Sequence, residues 1–167
     1  MLTTQGIILI LTAITTAIMA GLFFSYSFSV NLGLGKLPDA EYLSAMQSIN
    51  RAIQNPVFFF CFFGTLVLLP VSAYLHFTQP ISKQFLFLLL AAVVYIIGVF
   101  GVTVFGNVPL NEALDKFNIH SATKEAMAAQ RALFENRWNN LNIIRTVSST
   151  LAILFVIIAC MYYKLKN

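Results

Sequence analysis

Four stretches of the chain are almost wholly apolar, and the polar residues fall between them. Residues 6–32, 56–77, 85–106 and 141–163 contain no charged side chain except Arg145. Each reaches the roughly 20 residues that a helix needs to cross a bilayer core. Segments this long, without period-two alternation, can span only as helices. The pattern predicts four transmembrane helices.

The polar connections are unequal. Thr78, Gln79, Pro80, Ile81, Ser82 and Lys83 make a short turn, so the second and third spans are antiparallel neighbours. The link over residues 36–55 opens with Pro38 and Asp39 and then spaces Tyr42, Leu43, Met46, Ile49 and Ile53 on one face. That spacing predicts an amphipathic helix at the membrane interface. The link over residues 121–137 repeats the plan, with Ala122, Ala126, Ala129, Leu133 and Phe134 above a charged face. Each half reads span, polar helix, span, which resembles an internal repeat. The expected fold is all-α: an integral membrane four-helix bundle, with a short interfacial helix in each long loop, as one domain over residues 1–167.

Composition supports the bilayer as solvent. Hydrophobic residues are 59% and charged residues 10% of the chain, against roughly 25% charged in soluble domains. The net charge of +4 comes from dispersed basic residues mixed with acids, which excludes the clustered footprint of a nucleic-acid binder. No charged side chain precedes Lys36, so the first apolar stretch lacks the positive flank of a cleavable signal and reads as a retained span. Both long links lie on one face, and the termini and the Lys83 turn on the other. The far face has Lys83, Lys164 and Lys166 without an acid. Counting Lys and Arg alone points the site face to the cytoplasm, but several arginines there have functional settings, so charge leaves orientation open.

Arg145 is the most informative residue, because a cation about one turn into a span costs some 2.5 kcal/mol or more unless it faces the bundle interior or snorkels. At 100° per residue, Trp138, Asn142, Arg145 and Ser149 fall within about 60° of arc. An indole, an amide, a guanidinium and a hydroxyl on one stripe point inward. The competing reading has Arg145 snorkelling and Trp138 in an aromatic belt. Other polar groups reach this depth: Asn50, Arg51 and Asn55 before the second span, Asn107, Asn111 and Glu112 after the third, Ser27 and Asn31 at the end of the first. Asn is also a common cap, and Asn107 beside Pro109, just beyond Gly106, reads as a helix stop.

His76 and His120 are expected on opposite faces, so no His-rich metal site is predicted, and the Glu-x-x-His pairs of di-iron bundles and Gly-rich phosphate loops are absent from the sequence. Cys61 and Cys160 fall roughly 20 Å apart in depth at 1.5 Å per residue, too far for a disulfide. Gly98 and Gly101 suit close helix packing. One or two of the phenylalanines among Phe58, Phe59, Phe60, Phe62 and Phe63 can wall a pocket.

The run Arg137-Trp138-Asn139-Asn140-Leu141-Asn142-Ile143-Ile144-Arg145 resembles the Trp-x-x-x-Asn-x-x-Arg signature of the anthrone oxygenase-like membrane family. Residues 46–58 (MQSINRAIQNPVF) resemble that family's approach to its second span, and residues 108–114 (VPLNEAL) its Pro-x-Asn segment after the third. Together the resemblance extends over nearly the whole chain. It implies a multi-pass protein, with a bacterial cell membrane as the expected location, and oxidation of a lipophilic aromatic or quinone-like molecule by oxygen without a cofactor. Family residues carry over to Asn50, Asn111, Trp138, Asn142 and Arg145. In that chemistry Glu112 would be the base, Arg145 with Asn142 and Asn111 would hold the oxyanion, and Trp138 would stack on the ring system. Asn50, Arg51, Asn55 and Asn107 would complete the substrate-binding set. Expected partners are the lipid bilayer, a lipophilic small molecule and, as an open alternative, further copies of the chain.

Two functions compete on these residues: an oxygenase, and a non-enzymatic protein that grips a lipid or small hydrophobic ligand through Arg145. Transport fits less well, since Arg145 alone is ionisable within a span.

Overall fold

The computed structural model describes residues 3–162; Lys164 and Lys166, counted above on the far face, and Tyr163, the expected end of the last span, lie outside the described residues. Four helices are long and apolar enough to cross a membrane: α1 (Thr4–Leu34), α3 (Pro56–Leu75), α4 (Lys83–Asp115) and α5 (Lys124–Met161). Between the first two lies α2 (Asp39–Ala52). No strand occurs among the described residues. The chain is an all-α membrane bundle.

Local chemistry sets each start. The side chains of Thr3, Asn55, Ser82 and Thr123 accept hydrogen bonds from the backbone N–H of Gly6, Phe58, Phe85 and Ala126, capping α1, α3, α4 and α5. The spanning helices form a ring in which α1 packs on α3 and α5, and α4 packs on the same two. Met19, Phe62, Leu69, Leu88, Tyr95 and Val156 fill the centre, while Phe60, Val67, Tyr74, Ile97 and Phe105 point outward. Polar contacts tie helices where lipid offers no partner. The Thr12 and Ser72 hydroxyls lie 2.7 Å apart between α1 and α3, and the Tyr95 hydroxyl donates to the Phe62 carbonyl at 3.1 Å.

Two expectations need correcting. The second long link does not hold a helix of its own: from Lys124 the chain is one helix to Met161. At 1.5 Å per residue α5 is about 57 Å long, well beyond a core of about 30 Å, so nearly its first half projects past the membrane. Its buried face therefore continues the inward stripe of the span. Phe134 is buried, but Ala129 and Leu133 are exposed.

The third span does not stop at Gly106 and Pro109. It widens into π-helical turns at Ile96–Gly101 and Thr103–Asn107 and resumes as α-helix over Val108–Asp115. Pro109 falls in the first turn of that resumption, where a missing N–H is tolerated. α1 has a matching π turn at Tyr26–Val30. The wide turns at Tyr26–Val30 and Thr103–Asn107 lie toward the face that carries the two long links, and the one at Ile96–Gly101 sits at the middle of α4.

The helix expected in the first link is present, with Tyr42, Leu43 and Met46 buried against Leu114, Phe134 and Trp138. Arg131 of α5 pins its approach. Its guanidinium donates to the Gly35 and Leu37 carbonyls at 2.9 and 2.7 Å, to Asp39 at 3.0 Å and to Glu135 at 2.7 Å, and lies 4.4 Å from the Tyr42 ring centroid. Burial, reinforced by Glu135 and opposed by Arg131, pushes the Tyr42 phenol far above its usual range, so it stays protonated.

Candidate functional site

A cavity of about 380 Å³ opens beneath α2, where the ends of α1, α3 and α4 meet the middle of α5. Its apolar wall comes from Leu22, Phe23, Ile49, Ile53, Phe58, Phe59 and Val108, and its polar lining from Tyr26, Asn50, Arg51, Gln54, Thr103, Asn107, Asn111, Glu112, Asp115, Lys116, Trp138, Asn142 and Arg145. A volume of this order suits a small lipophilic ligand.

Arg145 is the chemical centre. It is only 6% exposed, and its guanidinium lies over the rings of Phe23 and Trp138, 4.6 and 5.2 Å from their centroids. Nη2 donates to Asn142 Oδ1 at 2.8 Å, and Nη1 makes a long 3.5 Å contact to Thr103 Oγ1. Among the described residues no carboxylate lies within ion-pair distance of it; the ion pairs there involve Arg51 and Arg131. A buried cation without an acid is a standing demand for an anion.

The residues around Arg145 hold it in place. Asn142, fully buried, turns its carbonyl to Arg145 and its amide N–H₂ to Ser27 Oγ at 2.8 Å and the Phe23 carbonyl at 3.2 Å. Thr146 donates to that same carbonyl at 2.9 Å. Phe23 lies just before the π turn of α1, and its carbonyl takes these two side-chain donors in addition to the Tyr26 backbone N–H. Trp138 donates from Nε1 to Asn111 Oδ1 at 2.8 Å, linking α5 to the end of α4.

Of the residues singled out from sequence, Arg145, Asn142, Glu112, Asn111, Trp138, Asn50, Arg51 and Asn107 all line this one cavity. Asn55 does not. Its side chain accepts from Phe58 N and donates to the Ala52 carbonyl, so it serves as the α3 cap. Ser149, on the expected stripe, is buried but donates to its own helix at the Thr146 carbonyl, away from the cavity lining. Trp138 is 4% exposed, packed on Phe134 and Tyr26 as well as Arg145. Its rings are therefore largely covered, and the more open aromatic residues lining the cavity are Tyr26, Phe58 and Phe59. Glu112 lines the cavity from an exposed position. Arg51 and Asp115, both largely exposed, pair at 2.6 Å and join α2 to the end of α4 on the cavity's edge.

Sequence reasoning missed Phe23, Tyr26 and Thr103. Tyr26 was the one legible candidate, as a polar-tipped ring one residue before Ser27; Phe and Thr recur throughout these spans and carry no distinguishing signal.

Fold and cavity together define a four-span membrane protein with an internal polar site at one face. The chain belongs to the anthrone oxygenase family: the family model described as anthrone oxygenase matches residues 58–155. That stretch contains Asn107, Asn111, Glu112, Trp138, Asn142 and Arg145, whereas Asn50 and Arg51 precede it, so the resemblance is carried by less of the chain than the whole-length reading above. No curated protein and no solved structure matches the chain.

Proposed function

We propose that this protein oxygenates a lipophilic aromatic carbon acid, an anthrone-like molecule, at the Arg145 cavity. The reading rests on one observation: a buried guanidinium, with no carboxylate partner among the described residues, faces a cavity of ligand size that has an apolar wall. Such a group stabilises an oxyanion far more than it would in water, because no solvent competes and its neighbours are already oriented.

The chemistry asks little of the protein. Loss of a proton from the activated carbon gives an enolate, whose oxygen Arg145 receives. The enolate passes one electron to dioxygen, the resulting radical and superoxide join at carbon, and loss of water leaves a new carbonyl. One oxygen atom stays in the product and the other leaves in water. Glu112 is the proposed proton acceptor. Asn111, whose carbonyl is held by Trp138, has its N–H₂ left to assist the oxyanion. Phe58 and Phe59 would flank the ring system.

A second reading, ligand binding without turnover, is favoured by the exposure of Glu112, since among the described residues no carboxylate is buried beside Arg145. In that case the guanidinium grips a lipid carboxylate or headgroup. One experiment separates the two. Purified protein in detergent, given anthrone under air, should consume one dioxygen per quinone formed, at a rate well above boiled protein. No excess rate, together with stoichiometric co-purified fatty acid or phospholipid, would establish the binding reading instead.

A further inference from the structure

Away from the Arg145 cavity, a groove of about 400 Å³ opens to the surface between the end of α1 and α5. Asn31, Leu32 and Lys36 line one side of it, and Glu135, Asn139 and Ile143 the other. Toward the bilayer centre these two elements expose Phe24, Phe28, Ile143 and Val147, and toward the face they expose Lys36, Asn136 and Asn140. The groove therefore lies at headgroup depth, with apolar surface leading away from it into the bilayer.

Its polar groups divide by charge. Arg131 bonds two carboxylates, Asp39 at 3.0 Å and Glu135 at 2.7 Å, so that cluster keeps a net negative charge. Arg131 Nε takes Glu135 Oε2, and Oε1 has only a 3.4 Å contact to Nη2. Gly35 leaves Oε1 uncovered, since a Cβ there would lie 3.4 Å from it. By contrast, the Lys36 ammonium and the side-chain amides of Asn31 and Asn139 have no hydrogen-bond or ionic partner among the described residues. Lys36 is exposed and both Asn residues are half-buried, so a molecule in the groove can reach them. A carboxylate oxygen that accepts, with an ammonium and two amides that donate, matches a zwitterion that carries both an N–H cation and a phosphate.

We propose that this groove is a binding site for one phospholipid with a primary-amine headgroup, its ammonium on Glu135 and its phosphate on Lys36, Asn31 and Asn139. A purely anionic headgroup would leave Glu135 unmatched beside a negative cluster. A trimethylated amine has the charge but no N–H to donate. The acyl chains would follow the exposed side chains of α1 and α5 into the bilayer. Ser27 forms the floor; its hydroxyl accepts from Asn142 at 2.8 Å and lies 2.8 Å from that of Thr146, so this site is distinct from the Arg145 cavity and independent of the chemistry there.

The test uses the full chain in detergent, titrated with phosphatidylethanolamine, phosphatidylcholine and phosphatidylglycerol of identical acyl chains and read by native mass spectrometry. One phosphatidylethanolamine should bind about tenfold more tightly than either of the others, the scale of one charge-assisted hydrogen bond. Lys36→Gln and Asn139→Leu should each weaken that lipid severalfold, and Glu135→Gln should remove the preference over phosphatidylcholine. Glu135 also holds Arg131, so if its variant fails to fold, the other two variants and the wild-type comparison decide. Equal affinity for the three lipids, no retained lipid, or a preference for phosphatidylglycerol overturns the proposal. A preference for phosphatidylethanolamine that survives Lys36→Gln and Asn139→Leu but is lost in Arg145→Lys would place the lipid in the other cavity and overturn it as well. None of these results bears on oxygenation at Arg145.

Discussion

A guanidinium packed against two aromatic rings and fixed to one amide keeps its planar edge directed at the cavity, and lysine cannot reproduce that arrangement. Lys has the charge, but as a rotatable point it cannot bond Asn142 and a ligand oxygen in one plane. Arg145→Lys should therefore lower oxygenation by about 10²-fold or more, the scale seen when one oxyanion donor is removed, with helicity and thermal midpoint little changed by circular dichroism. Trp138→Phe preserves a ring beside Arg145 but removes the donor to Asn111; a loss of about 1 kcal/mol is expected in a denaturant titration. Near-wild-type activity in Arg145→Lys would confine that residue to structure. At this scale the inward stripe of Trp138, Asn142 and Arg145 was legible because polar residues at helical spacing stand out in an apolar span. Asn55 misled because a capping Asn and a ligand-binding Asn look alike until the partner of the side-chain oxygen is known.

Helix contacts explain where substitutions should cost most. A Cβ at Gly98 would lie 2.6 Å from the Ser148 Cβ, so α4 and α5 approach closely enough there to exclude a methyl group. Gly98→Ala should destabilise the bundle by about 1–3 kcal/mol, measured as loss of folded protein on heating in detergent, and Ser148→Gly should recover part of it. Gly101→Ala meets only its own helix at 3.4 Å and should be close to neutral. Arg131 makes the complementary case in the polar region. Arg131→Ala removes four anchors on the approach to α2 at once, and amide hydrogen exchange should quicken over residues 35–52, with weaker ligand binding since α2 supplies Asn50. Unchanged exchange there would show that α2 is held by Tyr42, Leu43 and Met46 alone. The α2 pattern was readable because a Pro-Asp start precedes a clear apolar face. The unity of α5 was not, since a shift from polar to apolar composition looks like a boundary although the helical period runs straight through it.

For the molecule as a whole, the ring of four spans places α2, the end of α4 and the projecting start of α5 on one face. Single cysteines at Ser44 and Ser121, in a background lacking Cys61 and Cys160, should react with a membrane-impermeant maleimide from the same side of sealed vesicles, and one at Gln79 from the other. Labelling of Ser44 and Ser121 from opposite sides would overturn the topology. This level was legible from hydropathy alone, because span length and loop length leave few ways to thread a bilayer. The cavity was not, since it depends on how far apart α1, α3, α4 and α5 stand where the aromatic residues meet.

The π turns of α1 and α4 can be regarded as spare residues accommodated without lengthening the helix. An ordinary α-helix with one residue too many must either rotate everything beyond it by about 100° or swell locally; here the swelling falls beside the cavity, at Tyr26–Val30 and Thr103–Asn107. Chain length in these two places therefore tunes the site independently of which side chains line it. A one-residue deletion at Ser29, an exposed position, should let α1 tighten, withdraw the Phe23 carbonyl from Asn142 and Thr146, and loosen Arg145 without touching any residue that faces the ligand.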